Sequence, residues 1–257
     1  MLDLPQFESH LKTRVLGRAA CTNELWDEID STNTRATQLA AGGAPEGVVV
    51  MARLQTAGRG RQGRTWVSPP NSGIYISFLL RPTLPPQAVP LMSLATGVAV
   101  VEAVANVTGL AVGLKWVNDI VADGKKVGGI LAEMTTSTDP ANPGAGSSRS
   151  LVVGVGLNIH LEETDPGRRT ATRVQWLERL SGQAIDYNLL AAELCLCLEK
   201  PLFRYAQRRP PKNRRYVEEA VRCTGQEDSR HFRKHHCRGR SRWHPMKRSA
   251  CSQHRRW

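Results

Sequence analysis

Between Gln55 and Trp66 the chain reads Gln-Thr-Ala-Gly-Arg-Gly-Arg-Gln-Gly-Arg-Thr-Trp, with glycine at 58, 60 and 63 and arginine at 59, 61 and 64. Glycine permits positive φ and a close approach of backbone to ligand. Arginine carries a permanent charge on a planar fork of donors that matches carboxylate and phosphate. Together they suit a loop that closes over a small anion. A bare Gly/Arg alternation also reads as a solvated basic turn or an RGG-like nucleic-acid segment. A second group is Lys115-Trp116-Val117-Asn118-Asp119. A lysine at a strand end reaches an anion as a point charge, and Asn118 with Asp119 can position a magnesium ion or a ribose. Taken alone, this group also reads as a surface turn after a core strand. Lys126 adds a cation across the same hairpin. Gly128, Gly129, Gly154 and Gly156 keep two strands bare for ligand approach, and Asn158 supplies a polar end. Ser31-Thr32-Asn33 precede a helical stretch whose free N–H groups can bind a polar ligand or simply be capped.

These cations and bare strands suit activation of a carboxylate by a nucleotide, where positive charge offsets what builds up on an α-phosphate under attack. No GxxxxGK[ST] occurs, so a P-loop is not the device. No Ser/His/Asp or Cys/His set is evident.

The elements that must hold these residues follow from periodicity. Val48–Leu54 and Gly73–Leu80 read as strands flanking the Gly/Arg loop. Leu91–Thr108 reads as a small-residue helix, Ala111–Trp116 as a third strand, and Asp123-Gly124 as a hairpin turn before a returning strand, Lys126–Met134. Thr135–Arg149 reads as a loop, Leu151–Ile159 as a strand, and Thr172–Leu180 and Tyr187–Tyr205 as helices, the second capped by Asp186. The expected class is α+β, a mixed β-sheet with helices packed against it.

Length and composition set the frame. The 257 residues suit one large domain with a small appendage. There is no run of 18 apolar residues and no signal-like N-terminus, so neither a membrane span nor export is expected. Six scattered cysteines without a CxxC fit reduced thiols and a cytoplasmic protein. The net charge is +12, yet residues 203–257 alone carry 17 Lys+Arg against 4 Asp+Glu. The rest is a nearly neutral body. The expected organisation is a lead-in over 1–25, a catalytic domain over 26–205, and a basic tail over 206–257, disordered or translated in a shifted frame. His231, His235, His236 and Cys237 in that tail fit no standard zinc spacing.

The motifs together resemble those of the biotin–protein ligases. The resemblance rests on Ser31-Thr32-Asn33, the Gln55–Trp66 loop, Lys115–Asp119, Lys126-Val127-Gly128-Gly129-Ile130-Leu131 with Glu133, and Gly154-Val155-Gly156-Leu157-Asn158. It implies the biotin/lipoate ligase-like catalytic fold. It also implies a two-step reaction: biotin and Mg2+-ATP give biotinyl-5′-AMP and pyrophosphate, and a lysine of a biotin carboxyl carrier protein then attacks the adenylate. On this likeness Ser31, Thr32, Asn33, Gln55, Arg59, Gly60, Arg61 and Lys115 match biotin-side positions. Arg64, Trp66, Asn118, Lys126 and Asn158 match nucleotide-side positions, and Lys115 and Arg61 take the catalytic roles. No metal ligand is assigned. Val117 stands where the family usually has proline. Only 30 residues precede Ser31, so a ligase without a DNA-binding domain is expected. The family's C-terminal SH3-like barrel has no strand pattern here. A lipoate–protein ligase is the nearest alternative. A nucleic-acid-binding protein is the remote one, since the basic excess lies outside the patterned body and few aromatics interleave with it.

Overall fold

Val48, Val50, Leu79 and Val152 pack to one side of a sheet with Ala36 and Ala40, while Val49, Met51, Ile76, Phe78, Val153 and Val155 pack to the other. Alternate residues of the same strands thus serve two apolar faces, which is why these strands read as continuous apolar runs. The computed structural model describes residues 1–18, 23–82, 89–138, 147–160 and 174–207. All lie in the unit Met1–Gly225; a second unit, Gln226–Trp257, lies outside the described residues, as do the expected tail and its His/Cys group.

The strands are β1 (Glu24–Trp26), β2 (Val49–Ala52), β3 (Gly73–Leu80), β4 (Gly113–Lys115), β5 (Asp119–Ala122), β6 (Lys125–Thr138) and β7 (Ser147–Asn158). They form one seven-stranded mixed sheet in the order β1-β2-β3-β7-β6-β5-β4. Among these seven strands only β1 and β2 pair in parallel; the other strand-to-strand pairings are antiparallel. The helices are α1 (Leu4–His10), α2 (Thr32–Ala41), α3 (Val89–Thr108), α4 (Leu177–Ser181) and α5 (Tyr187–Gln207). Helix α2 covers one face through small residues, Ala36 and Ala40, and this close seat brings its N-terminus down to β3, β6 and β7. Helices α3 and α5 pack on each other, with α1 against α5 and α3 against β6. By length and composition α3 could cross a membrane, but half of its most apolar window is buried inside the fold.

The fold class matches the sequence reading, and several boundaries move. The turn at Asp123 and Gly124 has φ of 49° and 72°, the left-handed pair of a tight hairpin. It joins β6 to β5, a strand not foreseen, and β5 in turn pairs with β4. The expected loop over 135–149 is shorter than supposed. Thr135–Thr138 and Ser147–Ser150 extend the β6–β7 hairpin, because threonine suits a pleated strand as well as a loop. The expected helix from Thr172 begins at Leu177. Val174 and Gln175 instead pair with Lys126, and Trp176 is extended and buried. Asp186 Oδ1 accepts from the Asn188 and Leu189 amides at 2.9 and 3.1 Å, the expected cap of α5.

The first residues join the same core through Leu2, Phe7, Leu11 and Leu16. Glu199 of α5 fastens them, accepting from the amides of Arg14, Val15 and Leu16 at 2.7, 2.9 and 2.9 Å. A buried carboxylate needs such donors, and three charge-assisted bonds also fix the strap after α1.

Candidate active site

The pocket lies on the α2 face of the sheet. On that face β6 presents Gly129, Leu131 and Glu133, and β7 presents Gly154 and Gly156, because every second residue of a strand faces the same way. Gly129 and Gly156 are direct partners in register and make a bare floor. Trp66 lies on it: a Cβ on Gly156 would meet the indole at 2.5–2.8 Å, and one on Gly129 would meet Cζ3 at 3.2 Å. Lys126 Nζ sits 5.3 Å from the indole centroid and 2.6 Å from Asp119 Oδ1. Cation and ring thus hold each other beside the floor.

The Gly/Arg segment folds as a flap over this floor. Trp66 N–H donates to Gly58 O at 2.8 Å and Gly60 N–H to Arg64 O at 2.7 Å, so its arms pair. Gly58 is required by that approach, since a Cβ there would meet Ser68 Oγ at 2.9 Å and Trp66 O closer still. At the tip, Gln62 and Gly63 take φ of 56° and 72°. Two arginines cross the pocket: Arg59 Nη2 to Glu133 Oε1 at 2.7 Å, and Arg61 Nη1 to Asn118 Oδ1 at 3.2 Å. The first pair is part-exposed and worth about 0–1 kcal/mol by itself.

The opposite wall is polar. Ser31 is the N-cap residue of α2 without a side-chain cap bond, so capping does not use its hydroxyl. Gln55 Oε1 accepts from Thr32 N–H at 2.9 Å, and Gln55 Nε2 donates to Ser68 Oγ at 2.8 Å. Asn33 is buried and donates to Glu133 Oε2 at 3.0 Å. Ser77 Oγ donates to Asn33 Oδ1 at 2.6 Å and lies 2.8 Å from Thr32 Oγ1.

The cavity so enclosed measures about 190 Å3. Of the thirteen residues singled out above, eleven line it: Ser31, Thr32, Asn33 and Gln55; Arg59, Gly60, Arg61, Arg64 and Trp66; Asn118 and Lys126. Lys115 and Asn158 do not. Lys115 ends β4 opposite Asp119, exposed, with no side-chain partner among the described residues. Asn158 is buried at the end of β7, paired in register with Gly73. Gln62, Thr65 and Leu131, members of the same motifs without an assigned role, also line it, and behind the wall stand Ser68 and Ser77, which sequence reasoning missed. Ser77 had one available signal, a hydroxyl in an otherwise apolar strand whose eight residues are all buried.

Comparison with known proteins follows the same lines. Residues 25–145 match the biotin/lipoate A/B protein ligase family. A biotin--[acetyl-CoA-carboxylase] ligase of Mycobacterium tuberculosis is 35% identical over 219 residues, covering 80% of this chain and 74% of that protein. This chain belongs to that ligase family. The bifunctional ligase/repressor BirA of Bacillus spizizenii is 38% identical over 190 residues, 74% of this chain but 55% of the relative, so the chain spans about half of that protein. Among solved structures, the biotin protein ligase of Aquifex aeolicus in complex with biotin and ATP superposes with a TM-score of 0.59 at 30% identity, covering 73% of each chain. The Leishmania major enzyme in complex with biotinyl-5-AMP gives 0.61 at 25% identity, covering 86% of this chain and 88% of that one.

Among the described residues the two thiols are unsuited to act as nucleophiles. Cys195 and Cys197 are free and buried on α5. Burial pushes the Cys197 thiol up to about 12, and that of Cys195 further in the same direction. Among the described residues no three His, Cys, Asp or Glu side chains gather to hold a metal.

Proposed function

We propose that the chain joins biotin to a protein lysine in two steps. A biotin carboxylate oxygen attacks the α-phosphorus of Mg2+-ATP, forming biotinyl-5′-AMP as pyrophosphate leaves. The ε-amine of a lysine on a biotin carboxyl carrier protein then attacks the adenylate carbonyl. An amide forms, AMP leaves and the amine loses a proton. Magnesium enters with the nucleotide as substrate.

The observation that carries this reading is the convergence of four separate segments on one cavity: the α2 N-terminus, the flap, the β4–β5 turn with Lys126, and the bare glycines of β6 and β7. The donor side of α2, with Gln55, suits the polar end of a small substrate. Arg59, Arg61 and Lys126 surround the place where negative charge would grow, and held in advance they stabilise it. Lys115 lies outside the cavity, exposed at the end of β4 in register with Asp119, so on this reading its side chain must turn inward to complete the set. At about 190 Å3 the cavity is smaller than the roughly 300–1,000 Å3 of sites for drug-sized ligands, so the flap must move to admit two substrates. A cytoplasmic setting suits the free, buried thiols.

Intact-mass analysis of a carrier domain after incubation with enzyme, ATP and biotin tests the proposal. A gain of one biotin is expected. A gain with lipoate and none with biotin would assign the other branch of the family, and no gain with either would refute the activity.

A further inference from the structure

Glu133 lies on β6 with its two carboxylate oxygens committed to different parts of the pocket. Oε1 accepts from Arg59 Nη2 at 2.7 Å, and Oε2 accepts from Asn33 Nδ2 at 3.0 Å. An ionised carboxylate can only accept. It therefore fixes the orientation of the Asn33 amide: nitrogen towards Glu133, oxygen towards Ser77, whose hydroxyl donates to it at 2.6 Å. From Ser77 the contacts continue through Thr32 and Gln55 to Ser68. Ser68 Oγ in turn reaches Trp66 O at 3.4 Å. One chain of polar contacts thus leaves the flap at Arg59, crosses the wall, and rejoins the flap at Trp66.

We propose that Glu133 is a positioning residue. It sets the donor–acceptor order of the wall and ties the first arm of the flap to it. It does not appear among the residues lining the cavity, so it works through Arg59 and Asn33. Glutamine in its place keeps the shape but has one acceptor oxygen for two donors. Either Arg59 or Asn33 then faces an NH2 group.

The test has two arms, of which only the second rests on the biotin-ligase reading. In the first, limited trypsin digestion of the full chain is followed by mass analysis of cleavage after Arg61 and Arg64, without substrate. Glu133→Gln should be cut at these two sites about fivefold faster than wild type, the scale a part-exposed ion pair allows, while the lost bond lowers the melting temperature by no more than about 2–4 °C. Glu133→Gln added to Arg59→Gln should bring no further increase over Arg59→Gln alone, because the tie is already broken. In the second arm, Glu133→Gln should raise KM for biotin about fivefold and change kcat less than about twofold. Wild-type cleavage rates, additive effects with Arg59→Gln, or an equal rise at tryptic sites outside the flap would overturn the proposal. If Glu133→Gln does not fold, Glu133→Asp, charged but too short to span both partners, must show the faster cleavage. Its cleavage at the wild-type rate would equally overturn the proposal. A clear cleavage result in a protein that turns over no biotin would leave Glu133's role standing and remove the proposed activity instead.

Discussion

Gly154→Ala tests whether the polar wall is held as tightly as its geometry implies. The three atoms nearest to a Cβ at this position all belong to the Asn33 amide: Oδ1 well inside 3.0 Å, Cγ at 2.9 Å and Nδ2 at 3.2 Å. Asn33 cannot simply turn aside, being buried, fixed on α2, and bonded to Ser77 and Glu133. Accommodating a methyl there breaks at least one of these bonds, about 1 kcal/mol net, and adds an overpacking strain of about 1–3 kcal/mol. We expect a loss of about 3 kcal/mol, seen as a melting temperature about 6–12 °C lower for a fold of this size. Binding of biotin, by calorimetry, should weaken in parallel, since Asn33 lines the cavity. The decisive comparison is made in an Asn33→Ala background, where the obstructing amide is gone. There Gly154→Ala should be stabilising by up to about 0.5–1 kcal/mol, because alanine in a strand is otherwise favoured over glycine by that much. The coupling energy of the double-mutant cycle should thus exceed about 2 kcal/mol. Equal costs in the two backgrounds would mean that the methyl is resisted by something other than Asn33, and the account of this wall would fail.

Three further outcomes follow from the same geometry. Lys115→Ala should lower biotin-dependent ATP–pyrophosphate exchange by about 100-fold or more at an unchanged melting temperature, since its side chain is exposed; near-normal exchange would remove its catalytic role. Arg61→Gly should cut the tie from flap to Asn118 and release adenylate, so that biotin appears on surface lysines of bystander proteins; label confined to the carrier while activity falls would restrict Arg61 to binding. Outside the cavity lining, Glu24 is held below the usual carboxylate range chiefly by the Arg35 guanidinium bonded to it. A depressed folded-state pKa means stability that is complete above the ordinary glutamate value, near 4.5, and lost as pH falls through the lower folded value. Melting temperatures of wild type and Glu24→Gln should therefore differ at neutral pH and converge on acidification below that value; a gap independent of pH would exclude the ion pair as its source.

What could be read from the sequence, and what could not, divides along the range of the forces involved. Gly73–Leu80 is legible because an unbroken apolar run between turn residues has few alternatives, and β3 occupies those very residues. The flap is legible because its glycines and arginines are adjacent in the chain. Strand β5 was invisible because Asp119–Ala122 is four residues long and becomes a strand only by pairing on both sides. The helix expected over Thr172–Leu180 starts only at Leu177, because Val174 and Gln175 give their backbone to a pairing with Lys126, distant in sequence. The same distinction runs through the site. Arg59, Asn33 and Gly154 each carried a local signal: a donor fork, a helix start, a bare strand. That Gly154 is bare in order to seat the Asn33 amide, and that Glu133 joins that amide to Arg59, depends on residues up to 121 positions apart brought together by β6, β7 and α2. A period of two told which residues share a face. Only the register of Gly129 with Gly156, and the close seat of α2 on Ala36 and Ala40, determined which of them touch. The wall is therefore the part of the site where a change of one methyl group should be most informative, because no local preference can compensate for a misfit created by long-range packing.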